Sequence, residues 1–271
     1  MAHRRLPEHT AQDGHGAHLV SVRRGHQARG RAVRALVTGA SAGIGRAFAV
    51  ALAAQGYSVT AVARGIEGLL ALMAEIGDGH DYLVADLATG EGLAATVELL
   101  RHGGYTLLVN NAGTAAHGDF VEAPLESALT TLDLNCRAVV VLAHTFLGAA
   151  TPGSALVNVS STLGVAPKPG TGVYSASKAF VTAFSETLWH EQKPRGVHVL
   201  ALCPGVTRTA SHTAHDVPSW LVQTPREVVD RARKALSDRS GPVVLTSRAN
   251  QLLTAALRLI PRSAALALLA H

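Results

Sequence analysis

Between residues 34 and 245, short apolar runs alternate with helix-length stretches, and most of the runs are continuous rather than alternating in polarity. The runs fall at 35–38, 58–62, 82–85, 107–109, 155–159, 197–202 and 243–245, rich in Val, Leu and Ala. A strand apolar on successive positions has both faces covered, as in a parallel sheet. Parallel neighbours need crossover connections, and the segments at 44–55, 67–76, 91–102, 125–149, 174–193 and 225–238 supply them. Right-handed crossovers of this kind give an α/β fold, a doubly wound sheet with helices on both faces. Pro124 and Pro225 suit first helical turns, and Thr224 is a good cap. No repeat or linker interrupts 34–271. The expected organisation is a tail at 1–33, one domain at 34–247 and an apolar helical extension at 248–271.

Apolar residues make up 48% of the chain and aromatics 4%, which suits close-packed helices on a buried sheet and argues against a base-stacking surface. The net charge is +5, but residues 1–33 hold six Arg against Glu8 and Asp13, so the remainder is near +1. The basic character belongs to the tail, and no nucleic-acid partner is expected. Five of the fourteen His also lie there; disorder is the expected state, with a metal-binding or anion-binding arm, or a start codon placed too far upstream, as the alternatives. No secretory leader is expected, and no uninterrupted run reaches membrane-spanning length. The extension is broken by Arg258, Pro261 and Arg262, and reads as a docking helix or helix pair with peripheral membrane contact as the alternative. Cys136 and Cys203 fall in segments expected to be buried, consistent with a reduced cytoplasmic protein.

The first run ends in Thr38-Gly39-Ala40-Ser41-Ala42-Gly43-Ile44-Gly45 and enters a helix at Arg46. Glycines 39, 43 and 45 permit a tight turn in which backbone N–H groups, with Ile44 beside them, approach a pyrophosphate at the helix N-terminus, and Ser41 of the same turn is a candidate to help bind a 2′-phosphate. The spacing is G-x-x-x-G-x-G, unlike the usual dinucleotide fingerprint. The second run ends in Val62-Ala63-Arg64-Gly65, with no acid for a ribose 2′-hydroxyl. Arg64 can pair with a 2′-phosphate, so NADP(H) is expected, with NAD(H) the alternative. Asp86 is a candidate acceptor for the adenine amino group, and a capping role for it does not compete with that one.

Tyr174 and Lys178 stand four apart in VYSASKAF, on one helix face, with Ser161 thirteen residues earlier. A neighbouring ammonium lowers a phenol pKa toward the working range, and a serine hydroxyl can donate to the same oxygen. The combination reads as proton transfer to or from a carbonyl or carbinol oxygen.

Taken in order, TGASAGIG, Asp86, Asn110-Asn111-Ala112-Gly113, Asn135, Ser161, Tyr174/Lys178 and Pro204-Gly205 resemble the single-domain short-chain dehydrogenase/reductase family over about 34–245. The resemblance implies a Rossmann-type seven-stranded sheet and a catalytic set of Asn135, Ser161, Tyr174 and Lys178. It implies that Asn111, Ala112 and Gly113 border the cofactor, that Pro204, Gly205 and Thr209 lie beside the nicotinamide, and that Asn135 holds a water relayed to Lys178. Ser161 rather than Ser160 takes the catalytic place. Ala42 stands where many NADP-preferring members carry a base. A homodimer or homotetramer through the helices carrying Asn135 and Tyr174 is also implied. No metal is expected in the site.

The substrate walls are expected from Leu163, Val165, Ala115, Ala116 and residues 208–222, which offer Val217, Trp220, Leu221, His212 and His215. The expected substrate is a small hydrophobic ketone, aldehyde or ketoacyl compound, or the matching alcohol. A catalytically silent NADP-binding regulatory protein is the alternative.

Overall fold

The computed structural model describes residues 33–208 and 218–270. The apolar runs form seven strands: β1 (Arg34–Thr38), β2 (Ser58–Ala63), β3 (Asp81–Val84), β4 (Leu107–Asn110), β5 (Ala155–Val159), β6 (His198–Cys203) and β7 (Val243–Leu245). All pair in parallel in one sheet of order β3-β2-β1-β4-β5-β6-β7. Strand residues alternate between two cores, because successive side chains point to opposite faces. Ala35 and Val37 join the layer built with Phe48 and Leu52 of α1 (Gly43–Ala53), Leu69 and Leu72 of α2 (Ile66–Ile76), and Val228 and Ala232 of α7 (Pro225–Ser237). Leu36 points to the other layer, with Leu93 and Val97 of α3 (Gly90–Gly103) and Leu142 and Phe146 of α5 (Ala138–Ala149). Phe48, Leu36 and Leu108 are fully buried, and each contributes roughly 1.5–3 kcal/mol through removal from water.

Capping follows the sequence where it can be read. The Thr224 hydroxyl accepts from Glu227 N (3.3 Å), and the Glu227 carboxylate accepts from Thr224 N (2.7 Å), a reciprocal capping box ahead of Pro225. That acceptance holds the Glu227 carboxyl below its ordinary pKa.

Two departures from expectation concern the long apolar helix. It runs without a break from α4 (Leu125–Leu132) into α5, but Asp133–Arg137 between them form a π-helical turn. The run of 25 residues, whose most apolar 18-residue window has a mean hydropathy of 1.3, is also long and apolar enough to cross a membrane by length and composition, contrary to the sequence expectation. Leu134, Ala138, Leu142, Ala143, Phe146 and Leu147 are buried in the protein's own core, so the apolar face is already satisfied.

The chain steps outward from β1 to β3, then returns to β4 and proceeds the other way. The reversal between β1 and β4 opens a crevice at the carboxyl ends of those strands, where open parallel sheets bind ligands. The extension forms two helices, α8 (Arg248–Arg258) and α9 (Arg262–Leu269), with Pro261 at the break.

Candidate active site

The glycine turn occupies the crevice. Gly39 and Gly43 adopt φ of 65° and 54°, the left-handed region that glycine enters without strain. A Cβ on Gly45 would collide with the Gly39 carbonyl and the Asn111 amide, so glycine is required for the helix to meet the strand end. Thr38 staples the turn to the segment after β4: its hydroxyl accepts from Asn111 N (2.9 Å) and Ala112 N (3.0 Å). Asn111 Nδ2 donates back to the Thr38 carbonyl (2.9 Å). Asn110 donates to Asn158 Oδ1 (2.9 Å) and Asn158 to Ser185 Oγ (2.9 Å), a buried polar link from β4 through β5 to α6 (Gly172–Gln192).

The residues around the turn fit a dinucleotide phosphate. Ala42 supplies no side-chain cap to α1, so the first-turn N–H groups are offered to an anion. Arg64, at the tip of β2, has a side chain 71% exposed and 3.9 Å from Asp86 Oδ2, an ion pair too loose to hold it. Asp86 Oδ1 accepts from Ala88 N (3.0 Å) in a turn ahead of α3, whose N-cap is Thr89 rather than Asp86. Pro204 O accepts from Thr162 N (2.9 Å), tying the turn after β6 to the loop after Ser161. A Cβ on Gly205 would strike the Asn250 side chain of α8.

Ser161 sits just past the carboxyl end of β5, its hydroxyl accepting from Leu163 N (3.1 Å). Tyr174 lies in the first turn of α6, and the Ser161 hydroxyl bonds its phenol in the sense that stabilises the phenolate. One turn on, the Lys178 ammonium is buried, 5.7 Å from the Tyr174 ring centroid, and donates to the Val159 carbonyl (2.9 Å). Asn135, in the π turn, is fully buried. It accepts from Thr114 N (3.0 Å) and donates to Thr114 O (2.9 Å) and Ser177 Oγ (3.0 Å). A Cβ on Gly113 would come within 3.1 Å of Asn135 Oδ1 and 3.4 Å of Lys178 Nζ, so the two side chains converge on that glycine. Ser160 donates to the Lys178 carbonyl (2.7 Å) and pairs with Thr182, bonds that tie the end of β5 to α6.

The electrostatics differ from the sequence expectation. Burial pushes the Tyr174 pKa up, and the Ser161 bond opposes it. Burial also pushes Lys178 down to about 8, against Cys136 and Cys203, which raise it. Desolvation therefore outweighs pairing at both groups, and each is held toward its neutral form.

Of the expected substrate walls, Leu163 follows Ser161 and is partly buried. Val165 lines a cavity of about 640 Å³ bounded by α6, β7, α8 and α9. Trp220 lies in a single 3₁₀ turn and is largely in solvent. Thr209, His212, His215 and Val217 lie outside the described residues. His117, which the sequence reading passed over, stands 6.4 Å from Tyr174 between ring centroids and lines a cleft of about 330 Å³ with Ala115 and Ala116. Its one sequence signal is its place in the loop after Asn110–Gly113.

Comparison with known proteins agrees with this geometry. Residues 33–217 match the model of the short chain dehydrogenase family. L-Xylulose reductase of Cavia porcellus is 35% identical over 77% of this chain and 90% of that protein. An inactive hydroxysteroid dehydrogenase-like protein 1 of Homo sapiens is 30% identical over 74% of this chain and 65% of that protein. The solved short-chain dehydrogenase of Sphingobium yanoikuyae in complex with NADPH is 33% identical, with a TM-score of 0.73 over 84% of this chain and 94% of that one. Fold, glycine cradle and family model agree: the chain belongs to the short-chain dehydrogenase family of oxidoreductases.

Proposed function

We propose that the protein is an NADP(H)-dependent oxidoreductase acting between a carbonyl and the corresponding alcohol, with Tyr174 as the acid/base. The observation that carries this reading is the meeting of Ser161, Tyr174 and Lys178 at the carboxyl edge of the sheet, beside the glycine turn. Gly39, Gly43, Ile44 and Gly45 would hold the pyrophosphate, Arg64 with Ser41 a 2′-phosphate, and Asn111 to Gly113 with Pro204 and Gly205 the nicotinamide side. Bound there, the nicotinamide supplies the hydride.

The chain's own residues do the rest. Ser161 donates to the carbonyl oxygen and polarises it. Tyr174, whose raised pKa keeps its proton at neutral pH, gives that proton to the oxygen as charge develops. Lys178 stays largely charged below its pKa of about 8 and stabilises the phenolate left behind. The substrate is a hydrophobic ketone, aldehyde or ketoacyl compound bounded by Leu163, Ala115, Ala116 and His117. The NADPH-bound relative supports the cofactor choice. The second reading, a silent NADP-binding protein, is favoured by the inactive relative and opposed by the retention of all four catalytic residues. Assembly would use the helices carrying Asn135 and Tyr174, where Leu125, Leu129, Leu132 and Phe180 are exposed.

A carbonyl library screened for NADPH and NADH consumption in parallel tests the reading. Turnover should be faster with NADPH, and Arg64→Ala should cut that preference by about tenfold or more, the value of a charge-assisted contact. Faster turnover with NADH at matched subsaturating cofactor overturns the Arg64 argument, and NADPH binding without turnover of any substrate favours the silent reading.

A further inference from the structure

The redox reading leaves the C-terminal hairpin without a role. Its large apolar side chains stand in water: Leu252 is 74% exposed, Leu259 88% and Leu268 64%. No residue of α9 is buried, although Ala265, Leu266 and Leu269 line the cavity that separates the hairpin from α6. Three large apolar side chains standing in water on one short hairpin point to a site of association.

Charge says what it associates with. From Arg239 to the end of the chain there are four arginines, at 239, 248, 258 and 262, and no Asp or Glu. Residues 1–33 carry a net +4, which leaves −3 for residues 34–238. The chain is basic at both ends and acidic between. A second copy docked through the same hairpin would set its arginines against the same arginines with no acid in the segment, although Arg258 and Arg262 share the lining of the cavity with Glu186 of α6. An anionic bilayer satisfies both features at once: leucines enter the headgroup boundary while guanidinium groups reach lipid phosphates.

We propose that the α8–α9 hairpin is an interfacial anchor that docks this protein on an anionic lipid surface. The apolar side chains and the arginines act together, since neither signal alone holds a protein firmly at a membrane. The proposal is independent of the catalytic assignment.

Co-sedimentation of the full chain with vesicles of phosphatidylcholine, with and without phosphatidylglycerol, tests it. The expected result is binding to the anionic vesicles that weakens with salt. Leu252→Ser/Leu259→Ser/Leu268→Ser and Arg248→Gln/Arg258→Gln/Arg262→Gln should each lose it, with about fivefold in partition lost per arginine. Thermal melts confirm that both variants fold. Failure of the parent to bind overturns the proposal, as does undiminished binding by the leucine variant, which would assign attraction to the N-terminal arginines. A parent dimer that the leucine variant converts to monomer, without vesicles, also overturns it in favour of self-association. Binding to a DNA duplex as tight as to the vesicles, and insensitive to the leucine changes, overturns it in favour of a general polyanion site.

Discussion

An ammonium removed from water raises the free energy of the folded state unless its partners return what hydration gave. Lys178 is buried and its pKa falls from 10.5 to about 8, so below about pH 8 the native protein carries that penalty. Between about 8 and 10.5 the native lysine has lost its proton while the unfolded one keeps it, and stability from this group rises with pH. Lys178→Met should therefore stabilise the protein near neutral pH. The gain is about 2 kcal/mol, after up to about 3 from the pKa shift is offset by about 1 for the bond to Val159. Urea denaturation at neutral pH and at about pH 10 checks the sign: the advantage should shrink across that interval. The tyrosine, lysine and serine were legible in the sequence as a spacing. The direction of their pKa shifts was not, because burial depends on what β5, β6 and the Asn110–Gly113 segment bring around α6. His117 was missed because a lone histidine in a loop has no periodic signature.

The strands illustrate what a pattern does carry. Seven apolar runs, most of them continuous, became seven parallel strands, with ends displaced by a residue at most, since burial on both faces leaves little choice of composition. The π turn at Asp133–Arg137 left no mark, because one extra residue per turn shifts the apolar stripe without erasing it. That turn carries Asn135, whose amide satisfies both backbone groups of Thr114 and the Ser177 hydroxyl. Asn135→Ala strands those partners and should cost about 2–4 kcal/mol in urea unfolding, from about 1–3 for each buried group left unpaired. A cost below about 0.5 kcal/mol would show that water replaces the amide and that the turn is not held by it.

Across the whole molecule, the reversal of strand order between β1 and β4 sets the glycine turn, the Asn110–Gly113 segment and the Ser161 loop along one edge of the sheet. The sequence announced that edge through residues spread over about half the chain. It did not show the cavity beneath the hairpin, nor which apolar side chains of 248–271 stay in water, since both depend on how α8 and α9 pack on β7 and α6. The claim joining these parts is that Tyr174 moves the proton while the rest of the edge positions cofactor and carbonyl. It is tested most directly by comparing the parent and Tyr174→Phe on the best carbonyl from the screen, with NADPH affinity measured alongside. A fall in kcat/KM of about 10²–10⁴ with NADPH binding retained is the predicted result. Near-parent turnover by Tyr174→Phe would contradict it.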